Sequence, residues 1–294
     1  MGILPKHLEL LAVEHNRTPS FIRGNVLTLG QQSVYATLQE VRRVFTKHHL
    51  NLKPLPDDFD TTNKIPSWRG TSYENRTNAQ TVLTLMGANS VKVADLSQYE
   101  GADYVINLNN NINQNYEQQF DVIFDIGTLE HIFDISTALE SIIKMLKPGG
   151  RIIIIAPSSN SIDHGFYQFS PTLFYDLFSC NGFENFSCYL LEYNPLNYLR
   201  KGKVWRYTGF GMEYPLITPK GVEVFFTATK PTITKDFVKP IQRVYTERAH
   251  KDRAFLKKMQ GIRDKTWKVV PECIETVLTK HFIGNKNLKY LGKY

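Results

Sequence analysis

One stretch limits what this 294-residue chain can become: FDVIFDIGTLEHIFDISTALESIIKMLKPGGRIIIIAP, from Phe120 to Pro157. Residues 121–126 are a short apolar run rich in β-branched side chains, suited to an inner parallel strand and too short for a buried helix. Gly127 and Thr128 break it. From Asp134 onward Ile135, Leu139, Ile142, Ile143 and Leu146 recur at helical spacing, with Lys144 and Lys147 expected in the last turn, where cations complement the helix dipole. Pro148-Gly149-Gly150 ends that pattern and residues 151–156 supply a second all-apolar strand. A strand–helix–strand crossover is right-handed almost without exception. It places Asp125, Glu130 and His131 at a strand's carboxyl end, facing the crevice in which open α/β sheets bind ligands.

The rest of the chain repeats the alternation. Residues 5–15 predict a short helix with Leu8, Leu10, Leu11 and Val13 on its apolar side. Residues 24–30 (GNVLTLG) predict a strand and a glycine turn, and 31–50 a helix with Val34, Leu38, Val41, Val44 and Phe45 on one face. Residues 51–72, with three prolines, predict a long loop of the kind that often forms a lid, and Tyr73 to Met86 a further helix. Strands are predicted at 90–95 and 103–108. After a polar loop, Ser170 and Pro171 cap a helix that Asn181-Gly182 ends, and strands follow at 183–193 and 221–229. Five alternations and a closing strand pair predict a doubly wound, mostly parallel, seven-stranded α/β sheet. Residues 1–230 form this domain, with an insertion over about 36–88, and residues 231–294 a helical extension.

Charge separates the same two parts. Residues 231–294 carry 15 Lys and Arg against 6 Asp and Glu, net +9; the remaining 20 and 22 give −2, which accounts for the overall +7. No run of eighteen apolar residues exists, so no membrane span is expected, and the N-terminus lacks a signal-peptide pattern. Three cysteines without metal spacing read as reduced structural thiols, and a cytoplasmic location follows as an expectation.

The first strand ends VLTLG and continues Gln31-Gln32-Ser33, so Gly30 stands without the further glycines that a dinucleotide pyrophosphate requires; Asp95 follows 65 residues later rather than roughly twenty. A cofactor with a ribose and no phosphate tolerates the missing glycines. Here VLTLG, FDVIFDIGTLEH and LKPGGRIIIIAP resemble the class I S-adenosylmethionine-dependent methyltransferases, over about residues 24–230. DLSQYEGADYVINLN, DIGTLEHIFD and DHGFYQFSP look more narrowly like a bacterial subgroup associated with glycan or small-molecule biosynthesis. The resemblance implies a Rossmann-like methyltransferase fold and S-adenosyl-L-methionine as cofactor. It implies that Gly30 and Gln31 lie against the methionine end, that Asp95 with Leu96 holds the ribose and that Asn107 meets the adenine. Asp125, Ile126 and Gly127 complete the cofactor-binding set.

On the acceptor side, His164 and Tyr167 follow the fifth strand and His131 follows the fourth. An oxygen or nitrogen acceptor must lose a proton, and a histidine near neutral pH takes it up, so His164, or else His131, is the expected base, with Tyr167 orienting the substrate. Asp125, Glu130, His131 and Asp134 could also be read as metal ligands, but nothing in their spacing makes them converge, and no metal is expected. A small molecule or sugar is the expected acceptor, the aromatic excursion 194–220, with Tyr193, Tyr198, Trp205, Tyr207 and Tyr214, suiting a planar or sugar ring. A nucleic acid tracked by the basic tail is the less favoured partner, since the body is not basic. A non-catalytic binding module, motivated by Gln31-Gln32, is the other alternative, and an apolar stripe on the tail helices would serve a homodimer.

Overall fold

The computed structural model describes residues 2–18, 20–62, 75–98, 100–194, 202–207, 218–233, 236–246 and 288–293. In chain order these form β1 (Gly2–Ile3), α1 (Pro5–Arg17), β2 (Gly24–Leu29), β3 (Ser33–Val34), α2 (Leu38–Lys47), α3 (Ala79–Leu85), β4 (Ala88–Asp95) and β5 (Tyr104–Val105). There follow β6 (Phe120–Ile126), α4 (Ile135–Met145), β7 (Leu146–Ser159), α5 (Pro171–Cys180), β8 (Glu184–Tyr193), β9 (Lys203–Tyr207), β10 (Gly221–Thr229), the single-turn α6 (Arg243–Thr246) and β11 (Leu288–Lys293).

The main sheet runs β11-β9-β8-β10-β7-β6-β2-β4-β5. From β7 to β5 every pairing is parallel, and β10 lies antiparallel between β7 and β8. The seven expected strands are all present, in the spatial order third, second, first, fourth, fifth, seventh, sixth. Two more are added, because β9 pairs antiparallel with β8 and β11 with β9. The winding reverses between β2 and β6, which places a crevice at their carboxyl ends.

Side-chain alternation divides the core between the sheet's two faces. Ile152, Ile154 and Phe226 pack with Leu139 and Ile142 of α4 and with Phe174 and Phe178 of α5. Ile153, Ile155 and Phe225 face the other way, against Leu8 and Leu11 of α1, Phe45 of α2 and Val82 of α3. The central strands are apolar on both sides because both sides are covered, and each buried Ile or Phe contributes roughly 1.5–3 kcal/mol.

Several elements depart from the sequence expectation for local reasons. The helix expected over 31–50 begins only at Leu38, where Thr37 and Glu40 form a capping box; Thr37 Oγ1 accepts from the Glu40 amide at 3.2 Å and Glu40 Oε2 from the Thr37 amide at 2.8 Å. Upstream of it, Ser33–Val34 pairs with β1 instead. Of the helix expected from Tyr73, residues 73 and 74 lie outside the described residues, and α3 starts after Asn78, whose Oδ1 accepts from the Thr81 amide at 2.7 Å. Lys147 lies beyond α4 and not in its last turn; the chain turns extended before Pro148, and Lys147 Nζ meets Asp121 Oδ2 at 2.7 Å. The third strand shortens to Tyr104–Val105. The tail contributes α6 and then a strand, β11, where a helix was expected, and residues 247–287, which carry most of the expected tail helices, lie outside the described residues.

Helix α1 is docked by buried charge as well as by leucines. Glu14 is fully buried and accepts hydrogen bonds from Ser187 Oγ at 2.8 Å and from the Tyr189 hydroxyl on β8. Its other end presents Lys6 and His7 to Glu223 of β10, at 2.7 and 2.9 Å. Among the described residues, no helix is long and apolar enough to cross a membrane.

Candidate active site

The crevice is built from five chain segments that leave the carboxyl ends of β2, β4, β5, β6 and β7. At the first, Gly30 takes φ +71°, a left-handed turn that glycine adopts without steric cost, and its amide donates to the Ala94 carbonyl at 2.7 Å. A Cβ added there would stand 3.0 Å from Thr128 Oγ1 and 3.9 Å from Asp95 Oδ2, so the ends of β2, β4 and β6 meet at this glycine. Thr128 fastens the meeting: its hydroxyl donates to the Leu29 carbonyl at 2.7 Å and its amide to Asp125 Oδ1 at 3.2 Å. Nothing in the sequence marks Thr128 beyond its place in the strand-ending turn.

Gln31 and Gln32 occupy the places where further glycines were absent. Gln32 is buried and folds back on the turn, its Nε2 donating to Leu29 O at 2.7 Å. Gln31 points elsewhere, accepting from Gln80 Nε2 of α3 at 3.4 Å. Asp95 is half-buried, with Oδ1 accepting from the Leu96 amide at 2.6 Å, and the Leu96 side chain is 66% exposed. Asn107 is exposed, and its Oδ1 accepts from the Asn109 amide at 3.0 Å. Asn109 in turn accepts from the Asp134 amide at 3.0 Å, so the segment after β5 is tied to the start of α4. Ile126 is buried, and Gly127 takes φ +79° with its amide donating to Ile155 O at 3.1 Å.

A second cluster lies where the turn after β6 meets the loop after β7. Residues 129–131 form one 3-10 turn with Glu130 fully buried. The Glu130 carbonyl accepts from the amides of Phe166 and Tyr167 at 2.8 and 3.2 Å, which pulls the loop down onto the turn. Gly165 makes that approach feasible, since a Cβ there would stand 2.8 Å from the Glu130 carbonyl oxygen. The result brings His164 Nε2 to 3.3 Å and His131 Nε2 to 3.9 Å from Glu130 Oε1, with the two imidazole centroids 5.2 Å apart. These are ion-pair distances; neither Glu130 oxygen accepts a hydrogen bond from a described residue. Asp125 beside it is also fully buried, and burial first, then the Glu130 charge, pushes its carboxyl well above the usual range. Burial holds the His131 imidazole below its ordinary value, with the neighbouring Glu130 opposing that and His164 adding to it.

Of the expected acceptor-side residues, His131 and His164 are thus brought together and Tyr167 lies beside them with its hydroxyl committed. It donates to the Phe133 carbonyl at 2.7 Å, and its ring stacks on Phe169 at 5.9 Å. Phe133 and Phe166 form an edge-to-face pair at 5.8 Å while remaining 70% and 66% exposed. Nothing in the sequence singles out this pair, because each aromatic alone fits a core pattern.

Residues 86–172 match a family described as "Methyltransferase domain". The match spans β4 to β7 and the loop that carries His164. No curated protein matches the chain. Among solved structures, a SAM-dependent methyltransferase from Thermotoga maritima is 18% identical over 78% of this chain and 90% of its own, with a TM-score of 0.36. A SAM-dependent methyltransferase from Archaeoglobus fulgidus is 11% identical over 76% and 94%, with a TM-score of 0.36. The 1,6-didemethyltoxoflavin-N1-methyltransferase of Burkholderia thailandensis, solved with its substrate and S-adenosylhomocysteine, is 14% identical over 77% and 78%, with a TM-score of 0.33. Residues 86–172 are thus similar to a methyltransferase domain, and they lie within the open α/β sheet whose winding reverses between β2 and β6. The residues present fit S-adenosylmethionine, the cofactor that the sequence resemblance implies, for the Gly30 turn is a cradle that any side chain would fill and the Asp95 carboxylate stands at its rim.

Proposed function

We propose that the chain transfers a methyl group from S-adenosylmethionine to an oxygen or nitrogen atom of a small molecule or sugar-type metabolite. The observation that carries this reading is the two-sided crevice: Gly30, Asp95 and Thr128 on one side, and Glu130, His131 and His164 on the other. The bound cofactor supplies an electrophilic methyl on a sulfonium, and in-line alignment of acceptor, methyl carbon and sulfur provides most of the acceleration.

On the cofactor side, Gly30 leaves room for close approach of a ligand to backbone, and Asp95 accepts hydrogen bonds from the ribose hydroxyls. Leu96, Asn107, Ile126 and Gly127 line the neighbouring strand ends, and Asn107 offers an amide to the adenine. Gln32 keeps the turn closed from within, so the missing glycines are replaced by a side-chain hydrogen bond and not by open space. On the acceptor side, His131 and His164 manage the proton that the acceptor loses, and the exposed Phe133–Phe166 pair offers a face for a ring. Tyr167 acts through its bond to Phe133, which positions that face.

Isothermal titration of the full chain with S-adenosylmethionine and S-adenosylhomocysteine tests the reading. Saturable binding is expected, with a rise in melting temperature at excess ligand. Absence of both would leave a methyltransferase-like module without a cofactor.

A further inference from the structure

The cluster at the mouth of β6 and β7 carries more than proton transfer. We propose that Glu130, His131 and His164 hold a divalent transition-metal ion, at whose open positions the methyl acceptor binds through oxygen or nitrogen.

Three independent features converge on this. First, one ligand atom from each of the three residues lies within 4.8 Å of the other two. Two ligands about 2.1 Å from one ion stand roughly 3.0–3.4 Å apart at right-angled to tetrahedral geometry. The 3.3 Å between His164 Nε2 and Glu130 Oε1 already meets that requirement, and the half-exposed His131, at 3.9 Å, closes by a small side-chain rotation. Second, Glu130 is fully buried and both its carboxylate oxygens lack a hydrogen bond from any described residue. A buried carboxylate without hydrogen bonds is costly, and a cation held between it and the two imidazoles offsets that cost. Third, the site is held by backbone rather than by chance contact of side chains. The loop is pinned by two amides on the Glu130 carbonyl, and Gly165 is pressed so closely that a Cβ would stand 3.1 Å from both Glu130 Cγ and His131 Nδ1.

Two imidazoles and one carboxylate select ions of the manganese-to-zinc series over magnesium or calcium, which prefer all-oxygen sites. Three protein ligands leave coordination positions open, the pattern of catalytic rather than structural sites. A hydroxyl or amine bound there would have its pKa lowered, so its proton leaves more readily before methyl transfer. The histidines then act on the acceptor proton through the ion, and the proton itself passes to solvent water. That use of the ion rests on the methyl-transfer reading above; the ion's binding does not.

The test is a titration of the full chain, chelator-stripped and freed of any affinity tag, with cobalt(II) chloride near neutral pH. One equivalent is expected to bind, with visible d–d absorption reporting nitrogen and oxygen ligands. Glu130→Gln and His164→Ala should each weaken uptake at least about tenfold. His164 is on an exposed loop, so H164A with an unchanged melting temperature serves as the variant whose folding is secure. No saturable uptake, or uptake indifferent to both substitutions, overturns the site. A parallel S-adenosylmethionine titration separates the two readings: cofactor binding without cobalt binding sinks the metal site alone. Cobalt binding without cofactor binding leaves the metal site standing and removes methyl transfer.

Discussion

Glu130 and His164 come from different crossovers of the sheet, yet Oε1 of one lies 3.3 Å from Nε2 of the other. The link is made by backbone, since the Glu130 carbonyl accepts from two successive amides of the His164 loop. Side chains at the carboxyl ends of β6 and β7 are therefore presented as one surface, opposite the Gly30–Asp95 side of the crevice. The fold brings neighbouring strands together, but this particular contact depends on how the loop turns after Ser159.

Gly165 is the point at which that geometry is most easily broken. Its replacement by Ala places a Cβ 2.8 Å from the Glu130 carbonyl oxygen, so the loop must lift. We expect Gly165→Ala to lower methyl-transfer turnover by about tenfold or more, since misplacement of an acceptor-side group by an ångström has effects of that order or larger. The loop is on the surface, so the melting temperature should change little. Turnover equal to wild type would show that the close approach is not needed.

Asp95→Ala tests the cofactor side separately. Loss of hydrogen bonds from ribose hydroxyls to a carboxylate is expected to weaken S-adenosylmethionine binding by about 10- to 100-fold, that is about 1.4–3 kcal/mol. The residue is half-buried and, among the described residues, its carboxylate accepts from the adjacent Leu96 amide, a local bond, so the ligand-free protein should melt near the wild-type temperature. A dissociation constant that does not move places the ribose elsewhere.

How much of this was legible beforehand follows from where the information lies. The order of strands and helices could be read because apolar runs such as 151–156 must be buried on both faces, and the two-sided packing of Ile152 to Ile155 bears this out. Helix starts were less legible: α2 begins at Leu38 because the side chains of Thr37 and Glu40 meet, while Val34 matched the same periodicity and became a strand. Lys6, His7 and Glu14 lie outside the apolar set Leu8, Leu10, Leu11 and Val13 that the periodicity marks on α1 and are buried nonetheless, since their partners Glu223, Ser187 and Tyr189 lie far along the chain. At the site, local motifs indicated Gly30, Asp95 and His131, but the meeting of Glu130 with His164 depends on a loop conformation that no local spacing encodes.

The Phe133–Phe166 pair predicts where acceptor affinity resides. Both rings are largely exposed, so their retention at the crevice mouth is not explained by core packing. Phe166→Ala should raise the acceptor's KM about three- to tenfold, in line with the loss of one aromatic contact. kcat should change less than about twofold, because the ring is not placed on the reacting atoms. A fall in kcat with KM unchanged would move Phe166 from binding to chemistry.

The buried group that docks α1 makes stability depend on acid. Burial alone would raise the Glu223 carboxyl, but the charges of Lys6 and His7 outweigh it and hold the group down at about 2, against an ordinary 4.5. The folded protein thus binds fewer protons there than the unfolded chain does. The stabilisation is fully present above about pH 4.5 and is lost as pH falls towards 2. Burial also lowers the His7 imidazole from 6.5, with Glu223 opposing, so the neutral form is favoured in the fold and stability begins to decline as pH drops below 6.5. Both effects have the same sign. Glu223→Gln at neutral pH leaves Lys6 buried without the counter-charge that stands 2.7 Å from its Nζ. A cost of about 3–5 kcal/mol follows, roughly 10 °C in melting temperature for a domain of this size. Melting curves from pH 7 to 2 should show wild type losing its advantage below pH 4.5 while E223Q changes less over that interval, and parallel curves for the two proteins would mean that Glu223 is not the group that titrates.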